Sequence, residues 1–290
     1  MVENSTRSRT PARVQGLPAL DRALVMGVVN VTPDSFSDGG SWFDGAGAAK
    51  HGFELVEQGA DIVDVGGEST RPGAGRVDED EELRRVRPVI AELARTGALV
   101  SIDTMRASVA EAALDAGARM VNDVSGGLAD ERMADVMAQA QAPYVVMHWR
   151  GHSDQMQRQA AYDDVAGEVT TELRQRIDRL VGCGVDPEQI IVDPGVGFAK
   201  TPDHDWALLA NLHRVQELGR PVLVGASRKK FLGRVLADAE GTPRPADERD
   251  DASLALATLA AAAGVWCVRS HTARPTADAV RVAAAWRRAQ

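Results

Sequence analysis

Two cysteines, four lysines and no long apolar run mark this sequence, and each shortage excludes something. The lone thiols, Cys183 and Cys267, can build neither a disulfide framework nor a structural zinc site. Crossing a bilayer takes roughly 18–20 consecutive apolar residues, and no stretch approaches that. Residues 1–20 are polar and lack the apolar core of an export signal, so they read as a flexible N-terminal tail. Basic residues number 33 against 42 acidic, a net charge of −9. A generic nucleic-acid binder needs the opposite balance to displace counterions from phosphate. What remains is a soluble cytoplasmic protein with no membrane or nucleic-acid partner. An anionic small-molecule substrate is still allowed, since a few placed cations can bind one inside an acidic protein.

Arginine supplies 29 of the basic residues, so Lys50, Lys200, Lys229 and Lys230 each stand out. Lysine is a compact, rotatable donor on a thin stem, whereas arginine is a wide planar fork. Also missing is any Gly-, Ser- or Pro-rich linker, so residues 21–290 read as one domain. The polar stretch 238–251 reads as a surface loop within it.

Secondary-structure signals alternate along that domain. Apolar runs at 24–31, 61–67, 99–104, 120–125, 143–148, 190–196, 221–227 and 265–271 suit parallel strands buried on both faces. Amphipathic, Ala- and Leu-rich stretches at 45–59, 79–95, 106–117, 131–141, 163–183, 204–219, 249–263 and 275–289 suit helices, several ending at glycine. Eight strands alternating with eight helices predict a single-domain (β/α)8 TIM barrel. A doubly wound open sheet is the alternative, weakened because no GxGxxG follows the first strand.

In such a barrel the chemistry sits at the C-terminal ends of the strands. There the sequence places Asn30, Gly66-Gly67-Glu68, Asp103, Asn122-Asp123, His148, Asp193, Ser227-Arg228-Lys229-Lys230 and Arg269 with His271. The aspartates and Asn122 suit a flat heterocycle rich in N–H donors. Arg71, Arg228, Lys229, Arg269 and His271 suit phosphate or carboxylate oxygens. The site therefore fits a polar heterocycle carrying an anionic group. Bland readings stand for other positions. Asp34 and Asp38 read equally as turn or cap residues. The acidic run 78–82 reads as a helix N-terminus, and His204 and His213 as surface.

The stretch Asn30-Val31-Thr32-Pro33-Asp34-Ser35-Phe36-Ser37-Asp38-Gly39-Gly40 resembles the first motif of the dihydropteroate synthases, and Asp64-Val65-Gly66-Gly67-Glu68-Ser69-Thr70-Arg71-Pro72-Gly73 their second. Shorter matches follow in order at Ser101–Thr104, Asn122-Asp123, Met147-His148, Asp193–Lys200, Ser227–Lys229 and Arg269–His271. The resemblance spans about residues 23–288 and implies a transferase on a (β/α)8 barrel. Its reaction condenses 6-hydroxymethyl-7,8-dihydropterin pyrophosphate with 4-aminobenzoate, giving 7,8-dihydropteroate and pyrophosphate, with Mg²⁺ required. Carried over by position, Asp103, Asn122, Asp193 and Lys229 would hold the pterin. Asn30, Arg269 and His271 would bind pyrophosphate, Asn30 also contributing to the Mg²⁺ site. Thr70, Arg71, Pro72, Phe198 and Ser227 would form the 4-aminobenzoate side, beneath mobile loops at 32–44 and 68–77, with Phe36 able to cover the site. Asp103, Lys229 and Arg269 would be the catalytic set, and a homodimer through the later helices is implied.

Trp149, Ser270 and Thr272-Ala273 depart from the family's usual residues, which bears on the eighth loop more than on the ligand positions. Two other functions share the pattern: a pterin-dependent methyltransferase barrel and a degenerate pterin-binding paralogue. Thr70–Gly73 and Ser227–Lys229 favour the synthase over the first. Retention of Asn30, Thr70, Asp103 and Lys229 disfavours the second.

Overall fold

The structure, a computed structural model, describes residues 13–32, 45–69, 76–152 and 159–290. Eight strands are present: β1 Leu24–Asn30, β2 Ile62–Gly66, β3 Val100–Asp103, β4 Met120–Asp123, β5 Tyr144–Met147, β6 Ile190–Asp193, β7 Leu223–Val224 and β8 Cys267–Ser270. They are all parallel, in the order β6-β5-β4-β3-β2-β1-β8-β7. A parallel bridge between Val192 and Val222 brings β6 beside β7 and closes the cylinder. One in-register row starts at Asn30 and runs through Gly66, Asp103, Asn122 and Val145 to Ile191. Its first members lie at strand ends and its last lie deep in the apolar interior, the stagger that a closed, tilted barrel requires.

The helices are α1 Gly45–Glu57, α2 Glu79–Arg95, α3 Ala107–Asp115, α4 Met133–Ala140, α5 Val165–Gly182, α6 Pro202–Ala210, α7 Leu212–Gln216, α8 Lys230–Val235, α9 Asp250–Ala262 and α10 Ala273–Arg288. The (β/α)8 expectation holds, with two local differences. The stretch 204–219 is α6 and α7 rather than one helix. They part at Asn211, whose side chain donates to the Ala207 carbonyl and competes with the backbone ladder. Helix α8, only six residues, is too short to show a helical period in the sequence. The acidic run does start α2: the Asp78 carboxylate accepts from the Glu81 amide at 2.8 Å.

Alternate strand residues feed two separate cores. Val25, Val63, Ile102, Val121, Val146 and Val192 face outward and pack under the helices. Leu24, Met26, Ile62, Met120, Val145, Ile191, Leu223 and Cys267 face inward and fill the lower barrel. Val14 and Leu17 join this inner core, 4% and 9% exposed. This moves one boundary: the tail expected over 1–20 does not extend to residues 14–17, which plug the base of the barrel. Two apolar side chains separated by polar neighbours are too little signal for sequence reading to catch.

Replacing both plug residues (Val14→Ser with Leu17→Ser) should cost about 2–4 kcal/mol of stability. Thermal denaturation should register this as a midpoint lower by about 5 °C or more, with kcat unchanged. An unaltered midpoint would show that the plug contributes nothing.

Candidate active site at the barrel mouth

Two residues beyond the inner apolar layer, the same inward-facing positions turn polar. Asn30, Asp64, Asp103, Asn122, Asp193 and Arg269 continue the alternation that places Met26, Ile62, Met120, Ile191 and Cys267 inside. Arg269 is the hub. Its Nε donates to Asp64 Oδ2 at 2.6 Å and its Nη2 to Asp103 Oδ2 at 2.8 Å, joining β8 to β2 and β3. Asp64 Oδ2 also accepts from the Asn122 amide at 2.9 Å, which turns the Asn122 carbonyl oxygen the other way. Asp64 is fully buried and its Oδ1 has no hydrogen-bond partner among the described residues. Burial pushes Asp103 up to about 7; Arg269 opposes the shift and Asp64 adds to it.

The turn from β6 into α6 forms one wall. Asp193 Oδ1 accepts from the Gly195 amide at 2.7 Å, and burial raises its pKa against the pull of Lys229. Gly195 and Gly197 take φ of 67° and 79°. A side chain on Gly195 would strike the His148 carbonyl, and one on Gly197 would come within 2.6 Å of Lys229 Cδ. Lys229 donates to the Val196 carbonyl, and its Nζ lies 4.2 Å from the centre of the Phe198 ring. Burial pulls it down to about 8, with Asp193 and Asp205 opposing.

The rim above β7 and β8 joins Ser227 to His271. His271 Nδ1 and Ser227 Oγ are 2.9 Å apart, and the His271 amide donates to the same oxygen at 3.3 Å. Ser270 and Thr272 act locally, where α10 begins. There Ser270 Oγ accepts from the Thr272 amide and from Thr276 Oγ1. The mouth thus has an acceptor-rich floor, one thin-stemmed cation in its wall, and Arg269 with the His271 imidazole toward β8. This matches a flat, donor-bearing ring carrying an anion.

Comparison with known proteins decides which ring chemistry this is. Residues 26–271 match the family described as "Pterin binding enzyme". A dihydropteroate synthase of Mycobacterium leprae is 53% identical over 263 residues, covering 90% of this chain and 93% of that one. A Xanthomonas albilineans dihydropteroate synthase solved with 4-aminobenzoic acid superposes with a TM-score of 0.84 at 42% identity, covering 93% and 94% of the two chains. The same enzyme in complex with 7,8-dihydropteroate gives 0.81 at 40% identity, with the same coverages. The chain belongs to the pterin-binding enzyme family, among the dihydropteroate synthases. Its activity is the transferase reaction of folate synthesis that this group carries out.

The structure brings most of the residues singled out in the sequence together at the barrel mouth. Asp103, Asn122, Asp193, Lys229 and Arg269 share the floor and wall; Asn30 ends β1 beside them in the sheet; Ser227 and His271 share the rim. Thr70, Arg71 and Pro72, together with Asp34, Phe36 and Asp38, lie outside the described residues. Three expectations need correcting. Arg228 does not line the mouth: its guanidinium forms a two-pronged pair with Asp250 on α9, at 2.6 and 2.7 Å. His148 is fully buried on the helix side of β5, between Lys200 and Glu172. Asp123 likewise faces the helices, accepting from Tyr144, Ser125 and Gly127. Asp64 is the residue that sequence reading missed. A charged side chain at an inward position of an apolar strand, two before Gly66, was the available signal.

The mouth yields two expectations. Lys229→Arg should fold normally yet lose most activity, because a planar fork does not fit between Val196 and the Phe198 ring; turnover near wild type would contradict the assignment. In the free enzyme Asp103 ionises above about 7 and Lys229 loses its proton above about 8. The pH profile of kcat/KM for the pterin substrate should therefore rise on the acid side and fall on the alkaline side. Asp103→Asn should abolish the rising limb; an unchanged limb would assign it elsewhere.

Proposed function

We propose that three groups of side chains divide the condensation of 6-hydroxymethyl-7,8-dihydropterin pyrophosphate with 4-aminobenzoate. The observation that carries this is the polarity split of the mouth, acceptors on the floor and Arg269 with the His271 imidazole toward β8. Asp103, Asn122 and Asp193 take the donor-rich edge of the pterin, and Lys229 donates to a ring oxygen or nitrogen. Arg269 and His271 take the pyrophosphate, Arg269 exchanging a carboxylate partner for phosphate oxygens. Thr70, Arg71, Pro72, Phe198 and Ser227 receive 4-aminobenzoate. The complexes of the Xanthomonas albilineans enzyme with 4-aminobenzoic acid and 7,8-dihydropteroate support both substrates.

The chemistry asks for positioning and charge neutralisation, not for a protein nucleophile. The bond between the pterin's exocyclic carbon and the pyrophosphate oxygen breaks, and the aniline nitrogen bonds to that carbon. An electron-rich pterin tolerates positive character there, so departure precedes attack. Arg269 and His271 stabilise the departing charge. The amine is already neutral, so the wall needs only to aim it. Its surplus proton leaves to solvent.

Donor chemistry agrees with Mg²⁺ as the metal. Among the described residues no three His, Cys, Asp or Glu side chains group into a metal cage. Asn30 offers a single hard oxygen at the mouth, which suits an ion that keeps its waters and is shared with substrate phosphates. Asn30 would hold it together with the pyrophosphate, and when bound it would neutralise charge on the leaving group.

The same reading includes a cytoplasmic homodimer. Both thiols are free, and among the described residues no helix is long and apolar enough to cross a membrane. Helices α9 and α10 pack together and present Leu259, Val282 and Trp286, each about two-thirds exposed at 66%, 64% and 66%. Exposed apolar side chains of this size on two packed helices support a second copy as their cover. Leu259→Glu with Trp286→Glu should halve the mass seen in sedimentation; an unchanged mass would place the interface elsewhere.

The activity test is pyrophosphate release by purified protein given the pterin pyrophosphate, with 4-aminobenzoate and Mg²⁺ added or withheld. Release that requires both, with dihydropteroate formed, is the expected result. Tight pterin binding without turnover would instead support the degenerate binding protein.

A further inference from the structure

We propose that Lys200 is a positioning residue for the 4-aminobenzoate side: its ammonium, with the Tyr162 hydroxyl, clamps the carbonyls of the β6–α6 turn and so fixes the Phe198 ring. The proposal rests on the reading that Phe198 lines that side. The turn winds through Gly195, Gly197 and Ala199, all with positive φ, so its carbonyls point where no strand or helix can receive them. Side chains receive them instead. Lys200 donates to the Gly195 carbonyl at 3.0 Å and the Phe198 carbonyl at 3.1 Å; Tyr162 donates to the Ala199 carbonyl at 3.0 Å. Lys229 takes the Val196 carbonyl from the mouth side.

An ammonium has three donors, and all three are used. The third reaches His148 Nδ1 at 3.0 Å. Accepting there leaves the His148 proton on Nε2, donated to Glu172 Oε2 at 3.0 Å. Glu172 Oε1 is held by Arg150 Nε at 3.0 Å, and the Arg150 guanidinium lies 3.9 Å over the Tyr162 ring. Both clamps therefore belong to one connected assembly behind the wall. Burial, then the Lys200 charge, pushes His148 down to about 3, which keeps it the neutral acceptor this geometry needs. Lys200 is 3% exposed and two of its three donors hold carbonyls of the turn, so its effect on substrate passes through the turn.

Steady-state kinetics on the full chain distinguish positioning from general support. Lys200→Met should raise KM for 4-aminobenzoate about tenfold, and Tyr162→Phe about threefold, as expected when a binding wall shifts by a fraction of an ångström. The Kd for pterin pyrophosphate, measured by titration, should stay within about twofold, because Asp193 and Lys229 keep their own anchors. Equal loss for both substrates, or no loss for either, overturns the proposal. If Lys200→Met does not fold, Tyr162→Phe decides: an unchanged KM for 4-aminobenzoate overturns it. Phe198→Ala separates the layers. Should that variant leave the same KM unchanged, the placing of Phe198 fails and the clamp's role fails with it. Should it raise KM while the clamp variants do not, the clamp alone is wrong.

Discussion

The guanidinium of Arg269, set between Asp64 and Asp103, is the interaction on which the mouth depends. Asp64, Asp103 and Asp193 face one small space, the first and last of them buried, and carboxylates of like charge so placed raise one another's cost of ionisation. Arg269 offsets that cost at the centre, while Lys229 does so at Asp193. The two cations differ in kind. Arg269 is a fork that spans two strands; Lys229 is a point donor that ends against an aromatic ring. On the proposed reading, an incoming pyrophosphate competes for the first without displacing the second, and that difference lets the floor keep its pterin contacts while the leaving group is being stabilised.

Everything beneath and behind this cluster serves to hold it still. The inner apolar layer and the Val14–Leu17 plug support the floor from below. Asp123 pins the β4–α4 turn through Ser125, Gly127 and Tyr144. At the β2 end, Glu68 accepts from Arg76 and Arg106, and Arg106 also donates to the Val77 carbonyl, which fastens both ends of the segment between them. Buried Glu82, bonded to Thr104 and paired with Arg106, ties that fastening to β3 and α2. These polar residues are therefore scaffolding, their donors bonded to the carboxylates and carbonyls named above.

Fold and site were unequally legible in the sequence. Eight apolar runs separated by amphipathic stretches suffice for a barrel, since strands covered on both faces cannot hide their composition. Strand ends named the site residues, but not which way they point. His148 and Asp193 sit in the same kind of motif, yet one faces the helices and the other the mouth, because a single residue's offset reverses a strand side chain. Arg228 illustrates another limit: only the fold reveals Asp250 waiting beside it. Lys200 stands out in the sequence by its rarity and by ending the Asp193–Lys200 motif. Its three acceptors come from residues up to 52 positions away, or from the turn's own backbone, and neither is visible before folding. Of the longest motifs, Asn30–Gly40 and Asp64–Gly73, the stretches 33–40 and 70–73 lie outside the described residues.

The division between floor and rim is tested most directly by calorimetric titration with two ligands, the pterin pyrophosphate and the same pterin bearing only its hydroxymethyl group. Asp193→Asn should weaken both about equally, tenfold or thereabouts for one lost charged hydrogen bond. Arg269→Gln should weaken both, the hydroxymethyl pterin through the loosened floor and the pyrophosphate ligand about tenfold more. Equal loss of both ligands in Arg269→Gln would contradict the account, because Arg269 would then only be holding the floor together and not receiving the anion.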